Sequence, residues 1–217
     1  MDFTVVYDNN SKSGFEDSWG FSCLIDTNDE LVLFDTGWDG NVLLHNLQEL
    51  GVNGSDIDRI ILSHLHWDHI GGLTFFKNPD LVVHVPDSFS KNLKNEISKR
   101  FILQEEQDMR RITGPIFTTG ELGDDFKEQS VFVKSCEGTG FVITGCSHPG
   151  LDEIFSNISS EVDIVGILGG MHDLEDFDIL KDLEIILPCH CTSDKQKIVD
   201  WFSGSASIGK VGTRIDF

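Results

Sequence analysis

The chain has 217 residues, 39% of them hydrophobic and sixteen of them Phe, which suffices to bury a core as one large domain or two small ones. Its formal net charge of −21, from 37 acidic and 16 basic residues, argues against a nucleic-acid partner, because such binding needs Lys and Arg to displace counterions. No run of eighteen apolar residues occurs, so no transmembrane helix and no membrane partner are expected, and five cysteines do not suggest a disulfide framework.

Residues 1–4 open directly on a strand-like pattern rather than a leader, and the odd cysteine count then points to a reducing cytoplasm. Residues 3–8 read as a strand, 9–18 as a polar loop, and 20–26 and 30–34 as two more strands of a meander. Asp35-Thr36-Gly37 closes the third strand. Residues 41–50 are predicted helical from the spacing of Val42, Leu43, Leu47 and Leu50, with Gly51 as the stop.

An apolar run, Ile60-Ile61-Leu62, then ends in Ser63-His64-Leu65-His66-Trp67-Asp68-His69-Ile70-Gly71-Gly72. The run reads as a buried strand, and the residues after it read as a loop entering a helix. Neutral imidazole and carboxylate suit a zinc-like cation. His64 and His66, two apart on an extended segment, can point the same way. Asp68 and His69 sit where the chain turns into the helix and can face a second point. Two such sets suggest two metals, or one metal and a vacancy.

Residues 81–85 are a further strand, in which His84 reads as structural rather than as a ligand. Residues 88–112 are charged and weakly periodic, and Phe89, Leu93, Ile97, Phe101 and Leu103 are expected to line one helix face. A short strand and turn over 114–122 and strands over 131–133 and 140–144 follow, the last running into Gly145-Cys146-Ser147-His148-Pro149-Gly150. Cys146 reads as a small packed thiol. A helix over 151–158 and a strand over 162–168 lead to Gly169-Gly170-Met171-His172-Asp173. After a helix over 177–183, the strand at 184–188 ends at Cys189-His190-Cys191-Thr192, and a closing helix covers 193–202. A short strand is expected at 211–215. Six of the eight histidines thus fall in strand-end motifs. The two halves repeat strands with helices after them, which suits two mixed sheets face to face with helices outside.

The string His64-Leu65-His66-Trp67-Asp68-His69 resembles the signature of the metallo-β-lactamase-fold superfamily. The resemblance spans nearly the whole chain. It implies an α/β (α+β) fold, a four-layer αββα sandwich of two mixed β-sheets flanked by helices, as a single domain over 1–217, with 88–112 as an insertion or lid. It also implies a dinuclear site holding two divalent metal ions, zinc first, with manganese or iron as alternatives. His64, His66 and His148 would hold one ion; Asp68, His69 and His190 would hold the other. Asp68 would also orient the attacking water. Asp35 would support the ligands or touch the second metal.

Where the superfamily usually places a bridging aspartate, this chain has Gly169-Gly170-Met171-His172. His172 is therefore expected to serve the site, as ligand, proton donor or substrate contact, with Asp173 as the alternative bridge. This departure, with Gly-Cys-Ser-His-Pro-Gly and Pro-Cys-His-Cys-Thr, resembles the branch that includes the dihydropterin ribofuranosylaminobenzene phosphate synthase of methanopterin biosynthesis. That resemblance implies a dimetal enzyme without naming its substrate. The expectation is a metal-dependent hydrolase, or a related transferase, acting on a small anionic phosphate, ester or lactone. A flavo-diiron-like redox protein is one alternative, though such proteins carry a glutamate where this chain has His66. A metal-stabilised, non-catalytic binding module is the other. A small-molecule substrate is expected, and a homodimer is compatible with the sequence.

Overall fold

The computed structural model describes all 217 residues, which form two compact units, one of residues 1–107 and 210–217 and one of residues 108–209. The elements of the first unit are β1 (Asp2–Tyr7), β2 (Ser22–Asp26), β3 (Leu31–Phe34), α1 (Gly40–Glu49), β4 (Arg59–Ile61), α2 (Trp67–Ile70), β5 (Val82–Pro86), α3 (Lys91–Ser98) and β6 (Ile102–Glu106). The second unit holds β7 (Asp108–Thr113), β8 (Ile116–Gly120), β9 (Val131–Lys134), β10 (Thr139–Thr144), α4 (Leu151–Ile158), β11 (Asp163–Gly170), β12 (Ile185–Cys189) and α5 (Lys195–Trp201). The last strand, β13 (Arg214–Asp216), returns to pair with β1.

Each unit is built on one mixed sheet. The first has the order β13-β1-β2-β3-β4-β5-β6, antiparallel as far as β3 and parallel from β3 to β6. The second has the order β12-β11-β10-β9-β8-β7, parallel through β10 and antiparallel beyond it. Parallel neighbours need crossovers, and helices supply most of them. The helix α1 joins β3 to β4, and α4 joins β10 to β11. Asp39 caps α1 by accepting from the Asn41 N–H, Leu43 and Leu47 bury its inner face, and Gly51, at a φ of +78°, ends it. In α4 the buried residues are Leu151, Ile154 and Ile158, the i, i+3, i+7 stripe of a helix on a sheet. Each unit has its own apolar cluster, with Leu33, Leu47, Ile60, Val83 and Val85 in the first and Val142, Ile154, Ile167 and Ile186 in the second.

Only part of residues 88–112 forms the expected helix face: Leu93 and Ile97 lie on α3 and pack with Phe89 and Phe101, whereas Leu103 is not on the helix. The helix stops at Ser98, and Arg100 and Phe101 close the last turn by donating to the Ile97 carbonyl. Residues from Ile102 onward pair in parallel with Val82–Pro86, so Leu103 lies on a strand. After Gln107 the chain enters the second sheet as β7. Five continuous ladder pairings outweigh the weak helical period of this charged stretch. The helix that the motif enters, α2, is a single turn, continued as a 3₁₀ turn over Gly71–Phe75. Residues 177–183 hold a 3₁₀ turn at Phe177–Leu180 instead of a longer helix. No helix is long and apolar enough to cross a membrane.

Candidate functional site

In the first unit, β3 and β4 end side by side, and Asp35 donates its backbone N–H to the Ile61 carbonyl. Asp35 has a φ of +59°, which an L-residue tolerates only under constraint, and its side chain is fully buried. That carboxylate organises the histidine motif. Its Oδ1 accepts from the Ser63 N–H at 2.7 Å. Its Oδ2 accepts from the Ser63 hydroxyl at 2.7 Å and from His69 Nδ1 at 2.7 Å.

These contacts determine proton positions. A carboxylate only accepts, so His69 carries its proton on Nδ1 and presents the Nε2 lone pair. The Ser63 hydroxyl has spent its one hydrogen on Asp35, so at 2.8 Å from His64 Nδ1 it must accept. His64 therefore also presents Nε2 as a lone pair. That Nε2 lies 3.0 Å from His66 Nδ1, a separation that a shared proton or a shared cation makes favourable. Two nitrogens bound to one tetrahedral zinc at ordinary bond lengths sit about 3.4 Å apart. The rings of His64 and His69 are 4.2 Å apart between centroids. Asp68 lies in the first turn of α2, and its backbone carbonyl accepts from the Phe21 N–H.

In the second unit the parallel strands β10, β11 and β12 are neighbours, so their carboxyl ends deliver His148, His172 and His190 to one edge of one sheet. Ligands in open α/β sheets bind at such edges. His148 is held by Glu128, a residue that the sequence pattern does not single out. Glu128 is buried; its Oε1 accepts from the N–H groups of Cys146 and Ser147, and its Oε2 accepts from the His148 N–H at 3.0 Å and from His148 Nδ1 at 2.7 Å. His148, like His69, thereby carries its proton on Nδ1, which leaves Nε2 as the unprotonated ring nitrogen. Glu128 lies in a polar stretch with no periodic signal, so only the fold brings it under the 146–148 turn.

His190 follows β12, is buried, and has a φ of +37°. Cys146 is buried, and its Sγ lies within 4.8 Å of a ring nitrogen of His148 and of one of His190. A thiol there is of the kind that ligates as well as packs. His172 is only half buried. Its ring centroid is 5.3 Å from that of His148, and its Nε2 is 3.2 Å from Asp173 Oδ2. Asp173 is largely exposed and meets His172, not a ring of ligands. Gly169 and Gly170 are required by their neighbours: a Cβ on Gly169 would lie 2.1 Å from the Thr144 carbonyl oxygen, and one on Gly170 2.4 Å from the Gly145 carbonyl oxygen. His84 is not among these groups. It is buried in the first sheet with Nδ1 2.7 Å from Glu106 Oε1.

The side chains of both units thus include His64, His69, Cys146, His148 and His190, which are of the kind that hold a divalent metal. Residues 20–160 match the family model of the metallo-β-lactamase superfamily. The chain belongs to that superfamily. It is 28% identical to an uncharacterized protein of Methanocaldococcus jannaschii, over 88% of this chain and 90% of that one. It is 29% identical to the 7,8-dihydropterin-6-methyl-4-(β-D-ribofuranosyl)-aminobenzene-5′-phosphate synthase of the same organism, over 84% of each. Among solved structures, a metal-dependent hydrolase of the β-lactamase superfamily superposes with a TM-score of 0.83 at 27% identity, covering 100% of this chain and 99% of that one. The expected metallo-β-lactamase fold, two mixed sheets flanked by helices, is therefore present, and the expected resemblance to the synthase branch is found. Superfamily membership brings a metal-dependent, hydrolase-like fold and does not name the substrate.

Proposed function

We propose that the chain is a metal-dependent hydrolase with two divalent ions, zinc first, acting on a small anionic phosphate, ester or lactone. His64, His66 and His148 would hold one ion, and Asp68, His69 and His190 the other. The supporting observation is the pair of buried carboxylates, Asp35 and Glu128, each at 2.7 Å from the Nδ1 of a strand-end histidine. A buried carboxylate that accepts from Nδ1–H fixes the imidazole's tautomer and orientation and raises the basicity of Nε2 toward a cation. Divalent ions held there would supply Lewis-acid chemistry, polarising an electrophile and lowering the pKa of a bound water. Asp68 then orients the attacking water and takes its proton. His172, half exposed with Nε2 at the Asp173 carboxylate, gives a proton to the leaving group. Asp35 and Glu128 touch no substrate and act by holding His69, His64 and His148.

A transferase is the second reading, favoured by the 29% identity to a synthase over 84% of both chains. The first half of the chemistry is shared, and only the acceptor differs, water or a second substrate.

The test combines elemental analysis of protein grown with zinc, manganese and iron with a screen of phosphodiesters, phosphomonoesters, lactones and thioesters. About two transition-metal equivalents and turnover of one ester class are expected. Trace metal only, under all three supplements, would overturn the reading. His148→Ala should lose metal while keeping its fold by circular dichroism. His172→Ala should keep metal and lose turnover, whereas Asp173→Ala should keep both. Turnover in the presence of an acceptor alone, with none in water, would select the transferase.

A further inference from the structure

The helix that carries Asp68 and His69 has a second face. Trp67, Ile70, Leu73 and Thr74 recur at intervals of three or four along α2 and the 3₁₀ turn after it, and they turn toward α3. There they line a cavity of about 200 Å³ closed on the far side by Phe89, Leu93, Ile97 and Phe101. All eight residues belong to the first unit. An apolar cavity of about 150 Å³ already admits a benzene ring, so this one has room for an aryl group or a short acyl chain.

Two charged residues also line it, Glu96 and Arg100. Glu96 is held at 2.5 Å by Lys99. Arg100 makes no close salt bridge, although its charge also acts on Glu96. Trp67 is 56% exposed at the same opening, beside the buried Ile70, Leu73, Phe89, Ile97 and Phe101. An exposed indole and a guanidinium held in no close salt bridge, at the mouth of an apolar cavity, complement a ligand with an apolar body and one negative end.

We propose that this cavity binds a small amphipathic carboxylate, its apolar part seated against Phe89, Ile97 and Phe101 and its carboxylate on Arg100. The site lies behind the metal motif rather than in it, so an occupant holds Trp67, and with it the single helical turn that presents Asp68 and His69. It goes beyond the proposed hydrolysis and does not depend on metal.

The probes are octanoate, octylamine and octanol, which share one tail and differ in charge. Each is titrated into the full chain, metal-loaded and chelator-treated, while the four tryptophan indole N–H signals are followed by NMR and the Trp67 signal is assigned by Trp67→Phe. Octanoate should move the Trp67 signal saturably in both forms and leave that of Trp201 in place. Octanol should bind roughly tenfold more weakly, and octylamine more weakly still. Arg100→Gln, at an exposed position, should weaken octanoate roughly tenfold and leave octanol unchanged. Leu93→Trp should fill the cavity and abolish binding. Movement of all four indole signals together, no saturable shift with octanoate, or an unchanged affinity in Arg100→Gln would overturn the proposal. Binding that survives chelation separates this site from the metal reading, which stands or falls on elemental analysis.

Discussion

A single carboxylate at position 35 sets the protonation of two imidazoles, His69 directly and His64 through Ser63. Replacing it by Asn keeps its size but turns one acceptor into a donor that faces Ser63 or His69. Asp35→Asn should therefore lower metal affinity about 10- to 100-fold and cost about 1–3 kcal/mol of stability. Isothermal titration with zinc and chemical denaturation measure the two effects separately; unchanged zinc affinity would remove Asp35 from its positioning role. Glu128→Gln makes the stronger case. Its amide N–H would meet backbone donors of the 146–148 turn, so it should lose metal and stability together, and restoring Glu alone should recover both. The thiols give an independent check on burial. Burial pushes the Cys23 thiol well above its ordinary pKa, against a smaller opposing contribution from the Thr4 backbone, whereas Cys136 is exposed. A maleimide should label Cys136 within minutes and Cys23 only after denaturation. Mass spectrometry of the labelled native protein decides this, and early label on Cys23 would contradict its place in the sheet.

At the scale of elements, α2 is one turn long and is too short to hold itself, since most helical stability comes from packing. It is fixed by backbone contacts instead. Thr36 donates both its N–H and its hydroxyl to the His69 carbonyl, and Gly72 donates to the Gly37 carbonyl. A Cβ on Gly72 would stand 2.2 Å from the Thr36 carbonyl oxygen, and one on Gly71 2.3 Å from that of Trp38. Neither neighbour is a flexible side chain, so the motif turn would have to move. Gly72→Ala should cost about 1–3 kcal/mol and loosen metal binding. A melting curve and a metal titration on the purified variant check it, and an unchanged Tm would mean that the turn is mobile enough to give way. Residues 88–112 show the opposite case. Their charges and scattered apolar residues carry too little period to tell helix from strand, and the ladder with β5 decided.

Over the whole molecule, both sheets follow one plan, a run of antiparallel strands and then parallel strands whose carboxyl ends carry the polar chemistry. Four of the five non-glycine residues with positive φ, Asp35, Ser147, Asp173 and His190, lie just beyond such strands. Backbone strain gathers where side chains must be aimed. The charge of −21 acts on the molecule at large. Like charges repel in the compact state, and salt screens them. Tm should therefore rise by a few degrees between about 10 mM and 200 mM sodium chloride. A falling Tm would show that surface ion pairs such as Lys94 with Asp87 and Glu105 dominate instead. Duplex DNA should not bind at either salt concentration.

Local order in the chain determined a good deal by itself. An apolar run ending in His64-Leu65-His66-Trp67-Asp68-His69 marks a strand and the turn after it within a dozen residues, because each step depends only on near neighbours. The strand-end positions of His148, His172 and His190 were legible in the same way, each behind a buried run and a break. The spacing of Leu43, Leu47 and Gly51 placed α1 to within a residue or two. The tertiary structure alone decided what no neighbour records. Glu128 is 20 residues from the histidine that it orients, and Asp35 is 34 from His69. Such pairs depend on which strands lie side by side. That in turn is set by burial and hydrogen bonding summed over a whole sheet, and no window of sequence contains that sum.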